Sequence, residues 1–173
     1  MTGAATNLGA EYEALRQGVG AHQLGRDVLS VSGADAASYL QGQCSQDVEG
    51  MPIGGSADAL LLSPQGKIDA YLRLTKVGDD EFVIDTDGGF GPVVTARLER
   101  FRLRMKVTIE PLAWSCVAVR GPDAIQSVVG RPELMLAVEW PGFSGVDLLG
   151  PAPSGGPFAN LEAGAKTQRS KRR

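Results

Sequence analysis

Histidine and cysteine are nearly missing from this chain of 173 residues, which has one His and two Cys. Zinc sites take three or four ligands drawn largely from these two residue types, and His22, Cys44 and Cys116 are the whole supply. No metal centre is expected. A His-dependent catalytic triad would have to use His22, which lies in a Gly-rich polar stretch, so no catalytic residue is assigned. The cysteines form no CxxC pair and read as two reduced, partly buried thiols of an intracellular protein. Long apolar runs are also missing: nothing approaches the ~18 residues of a membrane span. The start, MTGAATNLGAEYEALRQG, has neither the basic head nor the apolar segment of a secretory signal. A cytoplasmic protein with no membrane partner is expected. The net charge of −3 conceals a basic end, KTQRSKRR at 166–173, on an acidic body. Such a body offers no nucleic-acid face. The basic end would lend a polyanion only salt-sensitive, unspecific affinity.

What is present is ordinary for a globular domain: 43% hydrophobic and 21% charged residues, enough for one domain with a core and a tail. The chain is organised around Asp58 to Leu74, DALLLSPQGKIDAYLRL. Two apolar segments flank Ser63-Pro64-Gln65-Gly66, a turn signal. After it Ile68, Ala70, Leu72 and Leu74 alternate with Lys67, Asp69, Tyr71 and Arg73, the period of a half-buried strand. The polar row is either a solvated sheet face or the wall of a pocket.

Taken in order, Glu11 to Arg16 suits a short helix, whereas the glycines of 17–25 argue against one. Asp27 to Ser32 reads as a strand. Gly33-Ala34-Asp35-Ala36 opens a helix to Gln41 or Gln43, with Ala36, Tyr39 and Leu40 on one face and Asp35 in the first turn, where a negative charge suits the dipole. Residues 50–55 are a loop. Glu81 to Thr86 is a strand with Phe82 and Ile84 on one face and Val83 and Asp85 on the other. From Gly91 a helix carries Val94, Leu98, Phe101 and Met105. Its opposite side, Arg97, Arg100 and Arg104, reads as a solvated face, the alternative being a stripe that meets the anionic tail of a ligand. Lys106 to Glu110 and Trp114 to Arg120 are strands separated by Pro111.

The chain then repeats itself. Val31-Ser32-Gly33-Ala34-Asp35-Ala36 returns as Val119-Arg120-Gly121-Pro122-Asp123-Ala124. In each a strand ends, a Gly turns the chain, and an Asp enters a helix. Pro122 suits the first helical position, with Ile125, Val128 and Val129 as the apolar face. The second copy continues through Leu134 to Trp140, a Pro141-Gly142 turn and Val146 to Leu149. Pro151 to Pro157 has linker composition, and beyond it only Phe158 and Leu161 could anchor anything.

Leu29 to Asp47 (LSVSGADAASYLQGQCSQD), Leu62 to Leu74, Phe82 to Asp85 and Arg97 to Val107 (RLERFRLRMKV) resemble, in order and spacing, the YgfZ-type folate-binding family, relatives of the glycine-cleavage T-protein (aminomethyltransferase). The likeness covers about residues 25 to 164 and corresponds to the N-terminal half of a typical member, so a truncated member is expected. It implies an α+β fold, an antiparallel or mixed sheet with packed helices, forming a T-protein-like folate-binding domain with a partial second repeat. The expected layout is an N-terminal helix and loop at 1–24, the incomplete folate-binding domain at 25–150, and a disordered linker and basic tail at 151–173. The implied cofactor is tetrahydrofolate, and the positions lining the folate pocket fall on Arg26, Asp58, Tyr71, Arg73 and Asp85. A carboxylate and an aromatic suit a pterin, and an Arg suits the glutamate end of folate.

Departures from the family bear on activity. T-proteins carry an Asp three residues past the Ile of the post-turn strand, and here that place is Tyr71, a phenol that is no carboxylate at neutral pH. Asp69 is two residues off, which moves a group by ~6.6 Å along a strand. The T-protein Thr-Gly-Glu is matched by Ser144-Gly145-Val146, and the second-half Lys-Gly-Cys-Tyr-x-Gly-Gln-Glu motif of YgfZ-type proteins is absent. The resemblance thus implies a folate-binding accessory protein in iron–sulfur cluster assembly or repair, with assembly factors or client proteins as partners, not catalytic on its own. The alternatives are a tetrahydrofolate-dependent aminomethyltransferase and a non-catalytic interaction domain.

Overall fold

The computed structural model describes residues 8–151 apart from Val129 and Pro141. The linker and basic tail beyond Pro151 lie outside the described residues, as does Val129 of the second repeat. Two compact units divide the chain: a central one, residues 25–114, and a flanking one from the described parts of 1–24 and 115–173.

The central unit is a five-stranded sheet with two helices. In chain order it has β2 (Arg26–Ser32), α2 (Ala36–Gln41), β3 (Ser56–Leu62), β4 (Ile68–Gly78), β5 (Glu81–Asp87), α3 (Gly91–Phe101) and β6 (Thr108–Leu112), following β1 (Gly20–Leu24) of the flanking unit. The spatial order is β3-β4-β5-β2-β6, every neighbour antiparallel. Alternation decides which face is covered: Ala70, Leu72 and Leu74 of β4 and Phe82 and Ile84 of β5 join Tyr39 and Leu40 of α2 and Val94 and Leu98 of α3 in one core. Each large side chain so buried contributes ~1.5–3 kcal/mol before entropy is charged against it. Ile68 departs from the expected row and is 63% exposed, because the register shifts at Leu61/Leu62 where the hairpin begins. Gly66 makes the turn at φ 76°, and its N–H is bonded to the Ser63 carbonyl at 2.9 Å.

Further differences have local causes. Pro111 does not separate two strands but sits inside β6, opposite Leu29; β6 is the outer strand of the sheet, where a missing N–H is tolerated. Asp35 stands at the N-cap of α2 with no side-chain bond to its own helix. Its carboxylate instead accepts the Lys106 N–H at 2.7 Å. The α3 helix stops at Phe101, so Met105 and Arg104 lie beyond it, Arg104 at φ 64°.

The flanking unit holds α1 (Leu8–Gln17), β1, β7 (Trp114–Arg120), β8 (Leu134–Trp140) and β9 (Phe143–Pro151), its sheet ordered β1-β7-β9-β8. The strand β1 lies in the Gly-rich stretch where no regular element is expected, and it is held by pairing with β7 from Gly20↔Arg120 to Leu24↔Cys116. The repeat is visible in the backbone. Gly33 and Gly121 sit at φ 127° and 125°. The Gly33 N–H reaches the Asp80 carbonyl and the Gly121 N–H reaches that of Ser144, while Ala36 bonds back to Gly33 and Ala124 to Gly121. Residues 122–127, however, form turns and not the expected helix.

Candidate functional site

A polar row crosses the central sheet. Asp58 on β3 lies opposite Arg73 on β4, Arg73 lies opposite Asp85 on β5, and Arg26 begins the next strand, opposite Asp87. The period of 2 puts Tyr71 on the Arg73 face of β4. The structure therefore brings together all five residues that the sequence singled out, on four adjacent strands.

The row is graded from buried to exposed. Asp85 is 1% exposed and anchors both arginines. Arg73 approaches Oδ1 with Nε at 2.9 Å and Oδ2 with Nη2 at 3.1 Å. Arg26 reaches Oδ2 with Nε at 2.8 Å and with Nη2 at 2.6 Å, and Asp87 with Nη1 at 2.7 Å. Tyr71 at the outer end is 45% exposed, beside the exposed Asp58. Partial burial, then its hydrogen bond to Asp58, raises the phenol above its ordinary pKa, so Tyr71 is a neutral donor at physiological pH. At Arg73 and Asp85 the row is no solvated face.

Asp69 is drawn away from this group. It meets Arg97 of α3 at 3.3 Å. Arg97 also donates to Gln43 Oε1 and the Leu62 carbonyl and stacks over Phe101 at 3.9 Å, so this member of the arginine stripe is a tie between helix and hairpin. Arg97, Gln43, Cys44 and Phe101 line a cavity of about 360 Å³. Cys44 has its thiol pushed up to about 12 by burial and is no nucleophile at neutral pH.

A larger cavity, about 740 Å³, lies between the start of α3 and the strands β2 and β6, walled by Val28, Leu29, Pro92, Ala96, Leu112 and Trp114, with Arg26 at its rim. Asp27 sits beside it and accepts the N–H groups of Gly89 and Gly91, both at 2.8 Å, filling the helix N-terminus with a carboxylate of the chain itself. Asp27 and Asp87 were not singled out from the sequence. The glycines at 88, 89 and 91 before a helix signal a loop needing an acceptor for its N–H groups, but not which strand supplies it. Among the described residues no group of three or more His, Cys, Asp or Glu could hold a metal ion, and no helix is long and apolar enough to cross a membrane.

Comparison with known proteins adds a lineage. The family model described as the GCVT N-terminal domain matches residues 2–131. An uncharacterized protein of Haemophilus influenzae is 31% identical over 94 residues, covering 54% of this chain and 34% of that protein. An aminomethyltransferase of Corynebacterium jeikeium is 29% identical over 124 residues, covering 69% of this chain and 31% of that protein. The chain thus spans about a third of the length of these two relatives. Among solved structures, the glycine cleavage system aminomethyltransferase T of Bartonella henselae superposes with a TM-score of 0.72 at 19% identity, over 91% of this chain and 47% of that one. The heterotetrameric sarcosine oxidase of Corynebacterium sp. U-96 does so at 0.51 and 14% identity, over 84% of each chain. At these identities the solved structures speak for the fold.

Proposed function

The chain belongs to the GCVT N-terminal domain family, and from that premise we propose that it binds tetrahydrofolate as an accessory protein of the YgfZ type, serving iron–sulfur cluster assembly or repair in the cytoplasm. The observation that carries the reading is the assembled row of Asp58, Tyr71, Arg73, Asp85 and Arg26 across adjacent strands. A half-exposed phenol beside a carboxylate fits a pterin, which offers a flat π-face and an edge of N–H donors. Tetrahydrofolate would be held by Tyr71 and Asp58, and when bound it would supply a carrier for one-carbon units. The chain's own residues would orient the ring and keep the phenol protonated beside it.

A second reading, a tetrahydrofolate-dependent aminomethyltransferase, is supported by the name of the Corynebacterium relative. Tyr71 weighs against it, since it stands where T-proteins carry an Asp. The two part in one experiment. Quenching of Trp114 or Trp140 fluorescence by tetrahydrofolate, without transfer of a methylene group from an aminomethylated carrier, is the outcome expected of an accessory protein. Turnover would favour the transferase. No quenching and no heat of binding, with the chain folded, would remove both.

A further inference from the structure

The outward side of α3 is not the plain solvated face of a surface helix. Gly91, Val94 and Leu98 turn into the core. A second stripe, at helical spacing from the N-cap, runs Phe90, Val93, Arg97, Arg100 and Phe101. Its three apolar members are exposed, and Leu103 in the turn that follows is 83% exposed. Single exposed apolar residues are ordinary, but a set of them gathered along one helix and rimmed by charge marks an interaction surface.

The stripe is held in place from within the central unit. Arg97 is tied to Asp69, Gln43 and the Leu62 carbonyl. Its guanidinium lies 3.9 Å from the centroid of the Phe101 ring, and that of Arg100 lies 5.7 Å from the same ring. A surface so fixed loses little entropy when a partner arrives. Beside it is the cavity of about 360 Å³, walled by Leu62, Pro64, Arg97 and Phe101 among others. It has room for one large side chain, the anchor that protein interfaces commonly insert.

Charge selects the partner. Residues 97–106 hold five basic residues and one acid. Arg97 is answered by Asp69, and Arg102 by Glu99 and the Val107 carbonyl. Arg100 and Arg104 are exposed, and among the described residues no ion pair reaches either. Carboxylates are their complement. The body around this patch is acidic and repels an extended polyanion or an anionic bilayer, whereas a partner that gathers its carboxylates in one place avoids that repulsion.

We infer that the outer stripe of α3 and the turn after it dock an acidic protein segment, its carboxylates on Arg100 and Arg104 and one large apolar side chain in the cavity beside Phe101. This surface is separate from the polar row and does not depend on folate binding. The probe is a synthetic helical peptide with Leu at every third or fourth position, one central Phe and Glu elsewhere, titrated into the full chain by calorimetry. It should bind, less tightly as salt is raised, and the same peptide with Lys for Glu should bind at least about tenfold more weakly. Arg100→Glu combined with Arg104→Glu, and separately Leu103→Ser, should each weaken the acidic peptide by about tenfold. The melting temperature should stay near that of the parent, since all three side chains are exposed. Absence of binding, equal binding of the Lys peptide, or unchanged affinity in both variants overturns the inference. Tighter binding of oligouridylate or of phosphatidylserine vesicles would assign the patch to a nucleic acid or a membrane and overturns it too. So does a dimer, seen by sedimentation, that Leu103→Ser disperses, because the face would then be covered by a second copy.

Discussion

Tyr39 shows how one buried side chain sets a pH limit. It is 3% exposed, its hydroxyl donates to the Leu98 carbonyl in the last turns of α3, and burial pushes its phenol up to about 12 from 10.0. The folded chain keeps a proton that the unfolded one loses near pH 10, so this stabilisation is complete below pH 10 and is lost as pH rises toward 12. Cys44 acts with the same sign, its thiol moving from 9.0 to about 12. Urea unfolding midpoints should therefore fall steadily between pH 9 and 12. Tyr39→Phe should cost ~1–2 kcal/mol at neutral pH, by leaving the Leu98 carbonyl without this donor, and should flatten the upper part of that fall. Iodoacetamide at pH 8 should modify the partly buried Cys44 and the buried Cys116 slowly in the native chain and quickly in urea; fast native labelling of Cys44 would contradict its raised thiol.

At the scale of elements, two glycines fix how strands end. A Cβ on Gly33 would lie 2.2 Å from the Lys106 carbonyl oxygen, and one on Gly121 would lie 1.9 Å from that of Gly18. Both residues also hold φ near 125°, outside the comfortable range of L side chains. Gly66 has a positive φ too, but open space around it. Gly66→Ala should cost ~1–2 kcal/mol, the backbone penalty alone, and Gly33→Ala and Gly121→Ala should each cost distinctly more, measured by chemical unfolding. Equal losses at the three sites would mean that the close carbonyls yield freely. Asp27 plays the matching part for α3: Asp27→Ala removes the acceptor of two N–H groups and should lower stability by ~1–2 kcal/mol.

For the molecule as a whole, Asp85 joins β4, β5 and β2 through one buried carboxylate between two guanidinium groups. Asp85→Asn removes the buried counter-charge that both cations share, leaving Arg26 only the exposed Asp87, and should destabilise by ~3–5 kcal/mol. Arg73→Ala breaks the same cluster. Lost folate binding in that variant would report on folding as much as on contact, which is why the exposed Asp58 and Tyr71 are the informative positions.

The sequence by itself determined the alternation of β4, the shared face of Tyr71 and Arg73, the turn at Gly66 and the recurrence of VSGADA as VRGPDA. Each is a matter of backbone period or of a local conformation that a few neighbouring residues dictate. Only the tertiary structure decided what the polar row is. Arg26 and Asp85 are 59 residues apart, and nothing local distinguishes a carboxylate that will be buried between two arginines from one that faces water. The same holds for Arg97, whose helical stripe reads as solvated until Asp69 and Gln43 are brought against it, and for β1, whose weak local pattern is overruled by pairing with β7. Local chemistry sets which face a side chain takes. Coverage of that face by distant segments sets whether its charge is held inside or presented to a ligand.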